Sequence, residues 1–126
     1  MTSILLIEDF TAIREGTAEL LELEGYRVIT AKNGKEGLEK IKRIPPDLVI
    51  CDVRMPEMDG LTLLGNLGAH RDLKRIPFIF YSAKSEKRDI KTGLDAGADD
   101  YLVKPCELKE LLGSIKKCLL KGKSTS

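Results

Sequence analysis

Five polar residues stand directly behind short apolar runs, and together they could do chemistry on a phosphoryl group. Glu8 and Asp9 follow "ILLI", Asp52 follows "LVIC", Ser82 follows "FIFY" and Lys104 follows "YLV". If the five meet, three carboxylates, a hydroxyl and an ammonium share one crevice. Packed carboxylates repel one another, and a hard divalent cation with oxygen ligands is the usual way to keep them ionised together. One or two carboxylates completed by water and a phosphate is the Mg2+ pattern. The ammonium and the hydroxyl would then address the other oxygens of the phosphoryl group, a task of positioning and charge neutralisation more than of acid–base chemistry. Holding the phosphoryl covalently needs a nucleophile, and an aspartate can serve by forming an acyl phosphate. Asp52 ends the middle run and is the central candidate, while the adjacent Glu8 and Asp9 are better suited to sharing a metal. No His, Cys or Ser with a partnering base competes, and the only histidine, His70 in "AHRDLKR", reads as a surface residue.

Such a meeting requires elements that bring the ends of those runs to one edge. The runs at 3–7, 27–31, 48–51, 76–81 and 101–103 are short, rich in β-formers and bounded by polar or turn residues. Between them lie stretches with helical spacing: Ile13, Thr17, Leu20 and Leu21; Leu38 and Ile41; Leu61, Leu64 and Leu67; Ile90 and Leu94; and Leu108, Leu111, Leu112, Ile115 and Leu119. Gly25 and Gly97 sit where helix C-caps belong, and Pro45, Pro46 and Pro77 punctuate the approach to strands. A β-α unit repeated five times predicts a parallel sheet with helices on both faces and right-handed crossovers. In such a sheet all carboxyl ends open on one edge, where ligands bind.

A length of 126 residues suits one domain with a single core. With 21 Lys plus Arg against 20 Asp plus Glu, the chain carries no strong field to attract nucleic acid or a membrane. Cys51, Cys106 and Cys118 are odd in number and lack metal-binding spacing, so they read as small hydrophobes in a reducing compartment. The start has no basic stretch before its short apolar run, and no 18-residue apolar stretch occurs. A soluble, cytoplasmic protein is expected, with residues 121–126 as a disordered tail or the start of a linker.

The segments "IED", "DVRMPEMDG", "FIFYSA" and "AGADDYLVKP", followed by an amphipathic last helix, resemble in order the receiver domain of two-component response regulators. The match spans Ser3 to about Leu120, with a domain of residues 1–120. The resemblance implies a flavodoxin-like α/β fold, a (βα)5 three-layer sandwich with strand order 2-1-3-4-5. It implies that Asp52 accepts a phosphoryl group from a sensor histidine kinase or a histidine phosphotransfer protein. Mg2+ (or Mn2+) would be held by Asp9, Asp52 and the Arg54 backbone carbonyl, with Glu8 reaching it through water. Ser82 and Lys104 would bind phosphoryl oxygens, and Tyr101 matches the switch aromatic that turns inward as the face of helix 4, strand 5 and helix 5 changes partners. The Lys104-Pro105 bond is cis in the family. The implied activity is a signalling switch that promotes its own phosphorylation and turns over no external substrate. A downstream protein or output domain is its expected partner, with a phosphorylation-dependent homodimer as a further form and no direct nucleic-acid or membrane binding.

Departures from the family pattern matter as well. Glu8 stands where many members have Asp. Arg54 and Lys84 fall at positions that influence how long the family's acyl phosphate lasts; long cations there could shield it from water or repel a divalent ion. Gly113 and Ser114 stand where one large subfamily of DNA-binding regulators carries an arginine at its dimer interface.

Blander roles exist for each residue. Asp52 alone would be a turn residue, Glu8-Asp9 a helix-capping pair, Ser82 a helix initiator, Lys104 a surface lysine and Tyr101 an edge aromatic. The charges at Lys87, Arg88, Lys91, Asp95, Asp99, Asp100, Lys109 and Glu110 read as a solvated face whose mixed signs suit docking. A degenerate receiver that binds partners without phosphorylation is the alternative function. A phosphatase using an aspartyl phosphate would place a second acid where Arg54 stands, and a flavodoxin-like cofactor carrier would need a Ser/Thr/Gly-rich phosphate cradle that the loops lack.

Overall fold

The computed structural model describes residues 1–124, with side chains through Lys121. Five strands, β1 (Ser3–Ile7), β2 (Arg27–Ala31), β3 (Leu48–Cys51), β4 (Phe78–Ser82) and β5 (Asp100–Val103), alternate with five helices. The helices are α1 (Thr11–Leu23), α2 (Gly34–Arg43), α3 (Gly60–Gly68), α4 (Lys87–Asp95) and α5 (Leu108–Ser124). The strands form one parallel sheet in the order β2-β1-β3-β4-β5, the (βα)5 arrangement expected from the sequence.

The two-residue period of the strands sorts the core into two layers. Ile4, Leu6, Leu48, Ile50 and Ile79 pack with Ala18 and Leu21 of α1 and with Leu111, Ile115 and Cys118 of α5. Leu5, Ile7, Val49, Cys51, Phe78 and Phe80 pack with Ile41 of α2 and Leu63, Leu64 and Leu67 of α3. Each such Leu or Ile contributes about 1.5–3 kcal/mol when fully buried. A one-residue slip would send every one of them to the wrong layer, so the register is firmly set. It aligns Ile7 with Cys51, Cys51 with Phe80, and Phe80 with Tyr101. The strand ends that carry the polar residues are thereby level.

Local chemistry sets the helix ends. Asn33 Oδ1 accepts from the Glu36 N–H (2.8 Å) to open α2, and Asp59 Oδ1 accepts from the Thr62 N–H (2.8 Å) to open α3. Gly25 and Gly97 take positive φ just behind α1 and α4, as their positions in the sequence predict.

Several boundaries and faces differ from the expectation, among them the α4 face, where Leu94 is exposed and Gly93 is the buried residue. Strand β4 runs 78–82 instead of 76–81, because Ile76 closes a turn onto Leu73 (3.1 Å) and Ser82 is still paired with Val103. Strand β5 begins one residue earlier, at Asp100. Helix α5 continues through 121–124, part of the stretch expected as a disordered tail or linker; residues 125 and 126 lie outside the described residues. Helix α1 buries Thr17, Ala18 and Leu21, while Ile13 and Leu20 are 38% and 45% exposed. The small Thr17 and Ala18 let α1 approach the sheet, which turns Ile13 and Leu20 toward its flank.

Candidate functional site

Backbone pairing delivers each strand-end residue to the same edge. The Glu8 N–H reaches Ala31 O (3.0 Å), the Asp52 N–H reaches Ile7 O (3.1 Å), and the Lys104 N–H reaches Ser82 O (2.8 Å). At that edge the Lys104 ammonium donates to Glu8 Oε1 and to Asp52 Oδ2, the latter at 2.9 Å. The remaining oxygens are also held: Glu8 Oε2 accepts from the Phe10 N–H (3.1 Å), and Asp52 Oδ1 accepts from the Val53 N–H (2.6 Å). Candidate ligand oxygens of Glu8, Asp9 and Asp52 all lie within 4.8 Å of one another.

These groups are poorly hydrated. Glu8 is 2% exposed, and the Asp52 and Lys104 side chains are 12% and 11% exposed. Burial pushes the Glu8 carboxyl up, and its hydrogen bond from Lys104 holds it back only in part. Burial works against the Lys104 charge, yet hydrogen bonds to Glu8 and Asp52 outweigh it and leave this ammonium harder to deprotonate than usual. Three carboxylates against one ammonium leave surplus negative charge. An all-oxygen donor set with surplus negative charge fits a hard divalent cation such as Mg2+ or Mn2+. The Asp9 carboxylate supports the same fit, since it accepts no hydrogen bond from the described residues.

The hydroxyl and the aromatic sit beside this cluster. Ser82 is buried, and its Oγ accepts from the Lys84 N–H (3.2 Å). The Tyr101 side chain is turned inward: its hydroxyl donates to Lys84 O (2.7 Å), and its ring centroid lies 5.8 Å from that of Phe80. Asp9, Asp52, Arg54, Ser82 and Lys84 line one open cleft. Arg54 is exposed above it, whereas the Lys84 ammonium turns away to Asp89 Oδ1 (3.6 Å). The Lys104-Pro105 bond is cis.

The fold therefore gathers Glu8, Asp9, Asp52, Ser82 and Lys104 as the strand-end pattern predicts. It corrects the reading of Asp99 and Asp100 as merely solvated charges. Asp99 Oδ2 accepts from the Phe78 N–H (2.8 Å), and Asp100 accepts from the Tyr101 N–H (2.8 Å) and from the buried Ser114 hydroxyl. Sequence reasoning passed over Arg14 and Asp89. Arg14 carried a signal, because a cation in the first turn of a helix sits at the wrong end of the helix dipole and needs another reason to be there. Asp89 carried none, since its partner is a side chain five residues back across a loop.

Among the described residues no helix is long and apolar enough to cross a membrane. The family model of the response regulator receiver domain matches residues 4–116. The transcriptional regulatory protein AfsQ1 of Streptomyces coelicolor is 37% identical over 126 residues, 100% of this chain and 55% of that protein. The chain thus spans about half the length of the curated relatives it matches. The signal receiver domain of a signal transduction histidine kinase from Syntrophus aciditrophicus superposes with a TM-score of 0.89 at 37% identity, covering 96% of this chain and 92% of that one. A CheY-like response regulator receiver domain protein from Methanospirillum hungatei gives a TM-score of 0.91 at 32% identity, covering 100% and 99%.

Proposed function

This chain belongs to the response regulator receiver family, and from that membership we propose that Asp52 is the phosphoacceptor of a switch fed by a histidine kinase or histidine phosphotransfer protein. One observation carries the reading: Lys104 holds Asp52 and Glu8 together, with Asp9 close enough for the three acids to share a cation. Asp52 Oδ1 and Oδ2 are both held by donors, so the carboxylate is oriented before any phosphodonor arrives.

Phosphoryl transfer would break the P–N bond of a phosphohistidine and form a P–O bond to Asp52, the imidazole nitrogen keeping the electron pair. Asp9, Asp52 and the Arg54 carbonyl would hold Mg2+ or Mn2+, with Glu8 acting through water. When bound, the ion neutralises charge on the moving phosphoryl. Lys104 and Ser82 would bind its other oxygens, and the inward Tyr101 is the state that such contacts favour. Arg54 and Lys84 line the cleft and would set the lifetime of the acyl phosphate. The face of α4, β5 and α5 would signal to an output domain, a downstream protein or a second copy of the chain. Residues 1–120 form the receiver unit in this reading, working in the cytoplasm.

The test uses acetyl phosphate with Mg2+ and compares wild type with Asp52→Asn by intact mass. A phosphoryl adduct that needs both Asp52 and Mg2+ is expected. An adduct that persists in Asp52→Asn, or none in the wild type, overturns the assignment.

A further inference from the structure

The loop that carries two of the three clustered acids is locked by a side chain with no assigned role. Helix α1 starts behind Phe10, which supplies no side-chain cap, and its first turn holds no acidic residue. Instead Arg14 folds back from that turn. Its Nη1 donates to Glu8 O (2.8 Å) and Asp9 O (3.3 Å), and its Nη2 donates to Thr11 Oγ1 (3.3 Å). One guanidinium thus grips two consecutive peptide carbonyls and the helix start, a fork that a single ammonium cannot reproduce.

Asp9 makes this grip consequential. Glu8 is anchored by Lys104 and the Phe10 N–H, and Asp52 by Lys104 and the Val53 N–H. The Asp9 carboxylate has no hydrogen-bond donor among the described residues, so its direction depends on the backbone at 8–10. We infer that Arg14 is a positioning residue that presents Asp9 to the divalent cation. The inference rests on the metal reading given above. Without the clamp, backbone freedom at Asp9 must be surrendered on binding, and ordering one residue is worth about a tenfold change in affinity.

The sign separates positioning from simple charge. Removing a cation near an acidic cluster should, by Coulomb's law alone, strengthen Mg2+ binding. Loss of positioning weakens it. Mg2+ titration by calorimetry of wild type, Arg14→Lys and Arg14→Ala reads this directly, with circular dichroism confirming the fold. Arg14→Ala is expected to bind about tenfold more weakly, and Arg14→Lys, which keeps the charge but loses the fork, to fall between. With acetyl phosphate the Mg2+ concentration for half-maximal rate should rise while the plateau rate holds. Should Arg14→Ala not fold, Arg14→Lys decides, since it preserves charge and weakens binding only if the fork matters. Variants that bind as tightly as the wild type, or more tightly, overturn the positioning role alone. A wild type that binds no Mg2+ overturns the metal reading and this inference with it.

Discussion

Replacing Lys104 with Met tests how the acidic crevice is held together. The ammonium lies 2.9 Å from Asp52 Oδ2 and also bonds the nearly inaccessible Glu8. With an effective dielectric near 20, one such pair has a gross attraction of about 6 kcal/mol, part of which is offset by the cost of desolvating the ammonium. Breaking a buried ion pair from one side costs about 3–5 kcal/mol, because the partner is left uncompensated. The side chains of Lys104 and Asp52 keep 11% and 12% exposure, which favours the lower end. A loss of about 3 kcal/mol near neutral pH lowers the melting temperature by roughly 10 °C for a domain of this size.

The pH dependence has a definite sign. The folded pKa of Glu8 lies above its ordinary value near 4.5, so its burial penalty is absent below that pH and complete only above the folded value. Met at 104 leaves Glu8 without its main counter-charge and enlarges that penalty. The deficit of Lys104→Met against wild type should therefore grow as pH rises from about 4.5 to 7.5. The folded pKa of Lys104 is raised, so its own contribution is intact below its ordinary value near 10.5 and constant across this window. Urea melts at pH 5 and pH 7.5 measure both arms. Adding Glu8→Gln should restore much of the loss, and MgCl2 should stabilise Lys104→Met more than wild type, because a cation then supplies the missing charge. A deficit against wild type that is the same at both pH values, with no greater response to Mg2+ than the wild type shows, would refute the ion-pair account.

Two further outcomes follow from the inward tyrosine and its neighbours. A Cβ at Gly93 would lie 2.9 Å from Tyr101 Cδ2 and 3.0 Å from Phe80 Cδ2. Gly93→Ala gains about 1 kcal/mol of helix propensity yet overpacks this seat by about 1–3 kcal/mol, so Tyr101 should swing outward. Tyrosine ring resonances read that population, and an unchanged inward ring would mean that Gly93 does not shape the seat. The Lys84 ammonium is drawn to Asp89 and away from the cleft. Asp89→Asn should release it and change the decay of phosphorylated protein in the sense opposite to Lys84→Ala; matching decay in both variants and wild type would remove Lys84 as a lifetime determinant.

What could be read from the chain alone divides along a physical line. Strand ends were legible because a two-residue period and abrupt apolar-to-polar boundaries fix where a buried strand stops, and a parallel sheet then forces those stops to one edge. Glu8, Asp9, Asp52, Ser82 and Lys104 are placed by the backbone, so topology alone brings them together. Arg14, Lys84 and Asp89 reach their partners through long or flexible side chains across loops, where the choice depends on which carbonyls and carboxylates the finished fold leaves open. The face of α1 was legible only in part: Thr17 and Leu21 are buried as their spacing predicts, whereas Ile13 and Leu20 lie exposed and the small Ala18 takes a place against the sheet that counting large apolar residues does not reveal. Lys84 shows what this does to function. Its backbone N–H and carbonyl serve Ser82 and Tyr101, while its side chain pairs with α4. A displacement of this one residue would therefore reach the Ser82 hydroxyl, the Tyr101 ring and α4 together.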